Sequence, residues 1–177
     1  MTTTTVPASL RITVPVTVDT FDDFVHSTGT RLMRTAVLLT GDRSTAEDLL
    51  QNAYARLFSK WKQVRRADHP LAYARRVMLR LHLDEKRRRR IVEVHTEAET
   101  SAPGSDPTTR LALMQALATL SALDRAVVVL RYWEDLSVAD TAEQLGLSPV
   151  TCRTRSHRAL KHLRTQFPSL ATPEDCS

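Results

Sequence analysis

This sequence has little that would support a disulfide framework, a metal centre or a β-sheet. Its 177 residues include two cysteines, Cys152 and Cys176, and four glycines. No second cysteine pair or histidine cluster gives zinc-binding spacing, and a structural disulfide is not expected. Reduced thiols are typical of cytosolic proteins. The scarcity of glycine, together with helical spacing of apolar residues, favours an all-α fold over an all-β fold.

Long apolar runs are absent as well. No stretch approaches the roughly 20 residues that a membrane-spanning helix requires. The first residues, MTTTTVPASL, have no basic start followed by an apolar segment, so no signal peptide is expected. We therefore expect a cytoplasmic protein without membrane insertion.

The sequence also lacks the signs of an enzyme. It contains no glycine-rich phosphate-binding loop, no carboxylate pair in a predicted cleft and no cluster of metal ligands. We expect a non-catalytic protein that uses no cofactor and no metal.

Cationic charge is abundant and unevenly distributed. The formal net charge is +5, and 42% of residues are hydrophobic, which is enough to build packed cores. Residues 61–90 hold 11 Lys and Arg against 3 Asp and Glu, a local charge of +8. Residues 91–109 hold 4 acids and no Lys or Arg. This pattern predicts a polyanionic partner for the basic segment and an acidic linker after it.

The segment Leu136–Arg164 predicts two short helices joined by a tight turn. Ser137 is suited to cap the first helix and Gly146 to end it. Ser148, followed by Pro149, is suited to begin the second. This is the pattern of a helix-turn-helix, a motif whose second helix enters the major groove of DNA.

The second helix of that motif carries cations and no acid, and arginine can bond a guanine edge or a phosphate with two hydrogens. The alternative interpretation is a solvated basic helix end. The predicted DNA-contacting residues are Ser148, Thr151, Arg153, Arg155 and Arg158.

Earlier segments predict further helices. The first begins at Asp19 or Thr20 and ends near Gly41. Ser44 is predicted to cap the second, with Glu47 completing a capping box. Pro70 opens a third helix that runs to about Arg90. Asp124 is predicted to cap a helix before the helix-turn-helix.

These patterns divide the chain into five parts. The predicted division is a flexible arm at 1–18 with a short strand as its alternative, a helical domain at 19–90, an acidic linker at 91–109, a helical domain at 110–167 and a tail at 168–177.

Three segments in this order resemble a bacterial RNA polymerase sigma factor of the extracytoplasmic-function type. They are GDRSTAEDLLQNAYARLF (Gly41–Phe58), HPLAYARRVMLRLHLDEKRRRR (His69–Arg90) and the segment Leu120–Arg164. The YARR tetrapeptide in the second of them is typical of the actinobacterial branch. The resemblance implies two small helical domains, sigma-2 and sigma-4, joined by a flexible linker.

The resemblance also implies partners and a function. Such a protein binds the clamp helices and flap of core RNA polymerase, recognises the minus-35 and minus-ten promoter elements and promotes strand opening. An anti-sigma factor is a further candidate partner. The acidic linker would either occupy the RNA exit path or serve as a passive tether.

By the same resemblance, each segment receives candidate site residues. Core-polymerase binding is assigned to Glu47, Asp48 and Gln51. The alternative role of Glu47 is to cap the helix, and the alternative for Asp48 and Gln51 is that they are ordinary surface residues. The minus-35 element is assigned to the five helix-turn-helix residues named above. Minus-ten DNA is assigned to Arg65, Arg66, Tyr73, Arg75, Arg76, Arg80, Arg87 and Arg88.

Two residues depart from the family pattern. Arg80 stands where relatives often have asparagine, and Glu85 stands where they often have an aromatic or apolar residue. Because arginine offers only donors while asparagine offers a donor and an acceptor, the minus-ten preference is expected to differ.

Three rival functions remain open at this point. A stand-alone helix-turn-helix regulator explains Leu136–Arg164 but leaves the first domain without a purpose. A protein that sequesters polymerase without supporting initiation is the second, and an enzyme acting on nucleic acid is the third. Tight, specific binding of duplex DNA without core polymerase would favour the first rival.

Overall fold

The regular elements of the protein are helices throughout the part of the chain that the computed structural model describes, residues 20–92 and 107–167. An all-α fold is thereby confirmed. The predicted arm, most of the acidic linker and the tail lie outside the described residues. The elements are, in chain order, α1 (Phe21–Thr40), α2 (Arg43–Ser59), α3 (Trp61–Val64), α4 (Pro70–Val92), α5 (Pro107–Ala118), α6 (Ala122–Val128), a π-helical turn (Val129–Trp133), α7 (Val138–Leu145) and α8 (Pro149–Gln166).

The limits of α1 agree with the sequence. The Thr20 hydroxyl accepts the Asp23 backbone N–H at 3.2 Å, which caps the helix at its start. Gly41 ends it with φ of 91°, a left-handed conformation that residues with a β-carbon rarely adopt. Its N–H donates to the Val37 carbonyl at 2.9 Å.

The predicted start of α2 was wrong. Asp42, not Ser44, caps the helix, and its carboxylate accepts the Thr45 N–H at 2.7 Å. Glu47 forms no capping box and instead accepts a hydrogen bond from Arg43 Nε at 2.8 Å. A carboxylate outcompetes a hydroxyl here because it carries charge at the positive end of the helix.

The predicted cap at Asp124 was also wrong. Ser121 occupies the cap position of α6, and its hydroxyl accepts the Asp124 N–H at 3.2 Å. The Asp124 carboxylate in turn accepts a hydrogen bond from the Ser121 hydroxyl at 2.6 Å. The capping pair therefore begins three residues earlier than predicted.

The first domain, comprising α1 to α4, packs its apolar faces into one core. Phe24, Leu39, Leu57 and Met78 are all at most 1% exposed. Within α1 the buried residues Leu32, Ala36 and Leu39 follow helical spacing, so the helix turns one stripe inward. α2 packs against both α1 and α4, which fixes the position of the basic helix α4.

The second domain, comprising α5 to α8, is smaller. α8 packs against α6 and α7, and its residues Cys152 and Ala159 are buried. Cys152 contacts Val127 and Ala142, so it serves as a small apolar core residue. Burial raises the pKa of its thiol, which opposes formation of the thiolate.

The two domains lie against each other and share a core. Ala126, Val129 and Leu130 of the second domain belong to the same apolar cluster as the first-domain residues. Leu130 is fully buried. α4 also contacts α6 and α7, the first helix of the helix-turn-helix. We call this arrangement the closed chain.

Candidate nucleic-acid and polymerase interface

The helix-turn-helix is built as its turn chemistry predicts. Ser137 caps α7 by accepting the Asp140 N–H at 3.0 Å, and Gly146 ends it with φ of 65°. Ser148 caps α8 by accepting the Thr151 N–H at 3.1 Å. The Ser148 and Thr151 hydroxyls lie 2.8 Å apart. Both hydroxyls are therefore fixed at the beginning of α8, the end that a recognition helix presents to base edges.

The predicted DNA-contacting arginines of α8 differ in their surroundings. Arg153 and Arg158 are exposed. Arg155 is partly buried, and its Nη1 donates to the Asp124 carboxylate at 2.7 Å. This ion pair joins α8 to α6 and holds the Arg155 guanidinium in one orientation.

Ser156 is one of the polar residues of α8. It is buried, and its hydroxyl lies 3.1 Å from the Tyr132 hydroxyl. A buried hydroxyl with a partner avoids the free energy of an unsatisfied polar group. The serine therefore links α8 to the π-helical turn.

The predicted minus-ten residues range from buried to exposed. Arg75 is buried, and Arg76 donates to Glu143 of α7 at 2.6 Å with both side chains largely exposed. Tyr73 is half-buried against the core of the first domain. The exposed members of the set are Arg65, Arg66, Arg80, Arg87 and Arg88.

Trp61 packs within the first domain. Its ring centroid lies 5.3 Å from that of Phe21 in a T-shaped contact and 5.5 Å from that of Phe24. Such contacts stabilise aromatic clusters beyond their buried area. The Trp61 ring therefore belongs to the aromatic packing between helices of the first domain.

The candidate polymerase-binding residues lie on the solvent side of α2. Asp48 and Gln51 are exposed, and Glu47 is half-buried beside Arg43. Leu49, Leu50 and Ala53 are buried on the opposite side of the helix. α2 thus presents an acidic and polar face without distortion of its core face.

A buried carboxylate lies between the two domains. Glu134 follows the π-helical turn, and its side chain is only 2% exposed. Arg31 of α1 donates to it through Nε at 3.0 Å and Nη2 at 2.8 Å. Arg75 Nη2 lies 3.3 Å away, and the Thr35 hydroxyl donates to the other carboxylate oxygen. Burial lowers the pKa of Arg75, while the negative charge of Glu134 opposes that shift.

Two further ionisable side chains, Arg125 and His82, are buried in the closed chain. Arg125 Nε donates to the Leu38 carbonyl at 2.6 Å, and its Nη2 has no partner. Burial lowers the pKa of Arg125 to about 10. His82 is buried with its Nε2 unpartnered, and burial, reinforced by Lys86 and Arg125, lowers its pKa to about 4. His82 is therefore neutral in the closed chain at neutral pH.

Sequence reasoning did not single out Arg31, Thr35, Arg125 or Glu134. The available signal was weak: Glu134 follows the apolar run AVVVLRYW, where an acid is unusual. Charged residues are almost never fully buried without a partner. The partners lie about a hundred positions away in the chain, so spacing could not identify them.

Within the described ranges, no group of three or more His, Cys, Asp or Glu residues is placed to hold a metal ion. No helix there combines the length and apolar character needed to cross a bilayer.

The geometry defines a helical, two-domain protein with a helix-turn-helix in one domain and a basic helix in the other, which is a class of nucleic-acid-binding protein. Family models agree with this class. The model for sigma-70 region 2 matches residues 24–91, and the model for sigma-70 region 4 matches residues 110–163.

Curated relatives of this chain are RNA polymerase sigma factors. The chain is 38% identical over 151 residues to the RNA polymerase sigma-E factor of Streptomyces coelicolor, covering 83% of this chain and 85% of the relative. It is 31% identical over 148 residues to the ECF RNA polymerase sigma factor SigL of Mycobacterium tuberculosis, covering 78% and 84%.

Solved structures share the fold. The sigma factor RpoE of Bartonella quintana, in complex with the anti-sigma factor NepR, gives a TM-score of 0.73 at 22% identity over 87% of this chain and 99% of that chain. Mycobacterium tuberculosis SigJ, an extracytoplasmic function sigma factor, gives 0.58 at 26% identity over 81% and 53%.

This chain belongs to the sigma-70 family of RNA polymerase sigma factors, in its extracytoplasmic-function branch and of actinobacterial type. It is a promoter-recognising, non-catalytic initiation subunit of RNA polymerase.

Proposed function

We propose that the chain divides its work between its domains. Residues 44–60 and the second domain bind core RNA polymerase, residues 61–90 bind and open minus-ten DNA, and residues 148–158 read the minus-35 element. The domain limits that go with this division are 19–90 and 110–167, separated by a linker at 91–109. The observation that supports the proposal is the presence of two separate cationic surfaces, one on each domain.

The minus-35 assignment is supported by the beginning of α8. Ser148 and Thr151 are fixed there by the cap, and Arg155 is held in place by Asp124. Arginine in a fixed orientation is suited to bidentate contact with a guanine. Arg153 and Arg158 flank it on the exposed surface and are suited to phosphates.

The minus-ten assignment is supported by the charge of α4. Arg80, Arg87 and Arg88 are exposed along this helix, and Arg65 and Arg66 precede it. Cations that line one groove neutralise the phosphates of a single strand while its bases are separated. In this position Tyr73 is the residue suited to stack on an unpaired base.

The polymerase assignment is supported by α2. Asp48 and Gln51 lie on its exposed face, where a basic partner surface is the natural complement. Promoter binding and polymerase binding by the two linked domains then reinforce each other through effective concentration.

We further propose a cytoplasmic location and control by an anti-sigma factor. Bacterial promoter DNA and RNA polymerase are cytoplasmic, which supports the location. The RpoE protein of Bartonella quintana, which shares this fold, was solved with an anti-sigma factor.

A stand-alone helix-turn-helix regulator is not favoured. Sigma-70 region 2 and region 4 both match, and together they account for both basic surfaces. A regulator would use only the second of them.

The test is in vitro transcription with purified core polymerase and genomic DNA fragments. We expect discrete start sites only when this protein is added. Arg155→Ala should weaken discrimination at the minus-35 element, whereas Asp48→Ala should mainly weaken association with core polymerase. Lack of any association with core polymerase would refute the proposal.

Matched variants separate contact from folding. Asp124→Asn removes the charge that orients Arg155 but keeps the arginine, so promoter selectivity should fall less than in Arg155→Ala. Asp22→Ala removes an exposed acid from α1 instead of α2, so polymerase binding should persist. If Asp124→Asn and Arg155→Ala lost selectivity equally, the role of Arg155 would be structural.

A further inference from the structure

The carboxylate of Glu134 is bound by a set of donors that belong entirely to the other domain. Arg31 contributes two nitrogens at 2.8 and 3.0 Å, Arg75 one at 3.3 Å, and Thr35 its hydroxyl. Thr35 is fully buried, and the Arg75 side chain is 5% exposed. These first-domain donors all point at one anionic group, the Glu134 carboxylate, which comes from the second domain.

An open groove of about 390 Å³ continues from this point along α1. The first domain lines it with hydroxyls and cations alone, and the only acid in its lining, Glu134, comes from the second domain together with Trp133. Its first-domain lining is Ser27, Thr30, Arg31 and Arg34. Arginine and hydroxyl side chains are among the groups that contact nucleic-acid phosphates in protein–DNA complexes.

The closed chain cannot reach both promoter elements at once. Elements at minus 35 and minus 10 are separated by roughly 25 base pairs, about 85 Å of duplex at about 3.4 Å per base pair. A compact chain of this length has a radius of gyration of roughly 16 Å. The domains must therefore separate before both elements are bound. Because both domains bind core polymerase in the function proposed above, we place this separation at polymerase binding, and Glu134 then leaves its donors.

We propose that Arg31, Thr35 and Arg75 form a phosphate-binding site of the first domain, which Glu134 fills in the closed chain and a DNA backbone phosphate fills once the domains separate. The proposal rests on the DNA-binding function proposed above. Glu134 is then an internal stand-in for the phosphate.

Chemistry and position both favour a DNA phosphate. The planar fork of arginine matches carboxylate and phosphate oxygens equally well, so a site built for one accepts the other. Arg75 also directly precedes Arg76 on α4, the helix that carries the proposed minus-ten surface. The site therefore extends that surface toward α1.

Arginine-selective modification with phenylglyoxal, mapped by mass spectrometry, tests the proposal on the unaltered protein. Arg75 should be unreactive in the free chain, become reactive in the complex with core polymerase, and be protected again when promoter DNA is added. The exposed Arg56 of α2 offers an internal standard for reagent activity in the free chain.

Three results would overturn the site. Reaction of Arg75 in the free chain would show that Glu134 does not fill it. Protection of Arg75 in the polymerase complex before DNA is added would show that polymerase takes the site. Continued reaction of Arg75 on promoter DNA, while transcription proceeds, would refute the site and leave the sigma function intact.

Binding of the full chain to duplex DNA of arbitrary sequence gives a second test, because phosphate contacts do not depend on sequence. Glu134→Gln should tighten binding and steepen the dependence of log K on log salt by about 0.9, the increment for one phosphate. Glu143→Gln, which alters the exposed pair with Arg76, should change the slope far less.

The double variant decides whether the gain arises at this site. In the Glu134→Gln background, Arg31→Met should return the salt slope to that of the unaltered chain. If the steeper slope persisted in the double variant, the gain would come from cations elsewhere, and the proposed site would be wrong. Circular dichroism verifies folding of each variant, and the modification experiment stands if Glu134→Gln is unfolded.

Discussion

Helices α8 and α4 both carry cations that the sequence assigns to DNA, yet in the closed chain these cations differ in exposure and ion pairing. α8 lies on the surface with Arg153 and Arg158 exposed. α4 has Arg75 enclosed by the second domain and Arg76 paired with Glu143. A cation's presence in a helix therefore does not determine its availability, since a neighbouring domain can supply the counter-charge.

The two glutamates that contact α4 extend the comparison. Glu134 is 2% exposed and has three donors, whereas Glu143 is 71% exposed and has one. Buried pairs depend on every partner because no water replaces a lost one. Exposed pairs exchange partners with water at little change in free energy.

The largest effect is expected from Glu134→Ala. Because this change leaves Arg75 buried and unpaired, it should lower the free energy of unfolding by about 3–5 kcal/mol. Urea denaturation followed by circular dichroism measures it. A loss no larger than that of Glu143→Ala would contradict the difference between the two pairs.

A slightly smaller loss is expected from Leu130→Ala. Leu130 is fully buried in the core that the domains share, and the cavity left should reduce stability by about 2–5 kcal/mol. Val150→Ala, at a residue 69% exposed on α8, is the control and should change stability little. The same denaturation experiment compares both, and equal losses would argue against a shared core.

His82 should make stability depend on pH. Its pKa falls from 6.5 to about 4 on folding, so the unfolded chain binds the proton more readily between these values. Stability is complete above about pH 6.5 and declines toward pH 4, by on the order of 3 kcal/mol. Urea midpoints at pH 7 and pH 5 measure the change.

Two variants isolate the source of that pH dependence. His82→Leu on α4 should reduce it, whereas His157→Leu, at an exposed residue of α8, should leave it in place. The two variants compare a buried histidine on α4 with an exposed histidine on α8. An unchanged pH profile in His82→Leu would assign the effect to other groups.

The smallest effect is expected from Glu143→Ala. Its pair with Arg76 is exposed, so the loss should stay below about 1 kcal/mol and shrink as salt is added. Denaturation at low and high salt provides the measurement. A loss that salt did not reduce would indicate that the pair is less solvated than its exposure suggests.

Local features of the fold were predictable because their causes lie within a few residues. Ser137, Gly146 and Ser148 set the limits of α7 and α8 as predicted. The same reasoning failed at α2, where Asp42 caps in place of Ser44. Two suitable caps lay close together there, and the stronger charge interaction with the helix end selected the earlier one.

The candidate site was predictable only in its chemistry. Basic residues on α4 and α8 and acidic residues on α2 can be found from composition and helical spacing. Which of those residues are exposed, paired or buried could not be predicted. Arg75 and Glu134, for example, are separated by 59 positions in the chain, yet Arg75 Nη2 lies 3.3 Å from the Glu134 carboxylate. Spacing along a chain carries no information about such contacts.

By itself the sequence determined the helical class, the helix-turn-helix and the family, since turn residues, helical periodicity and motif order act locally and survive in any arrangement of the domains. Only the tertiary structure decided that Arg75 is closed off, that Glu134 is buried against the first domain and that Arg155 is held by Asp124. The physical reason is that burial and ion pairing depend on which surfaces meet, and that is a property of the packed chain.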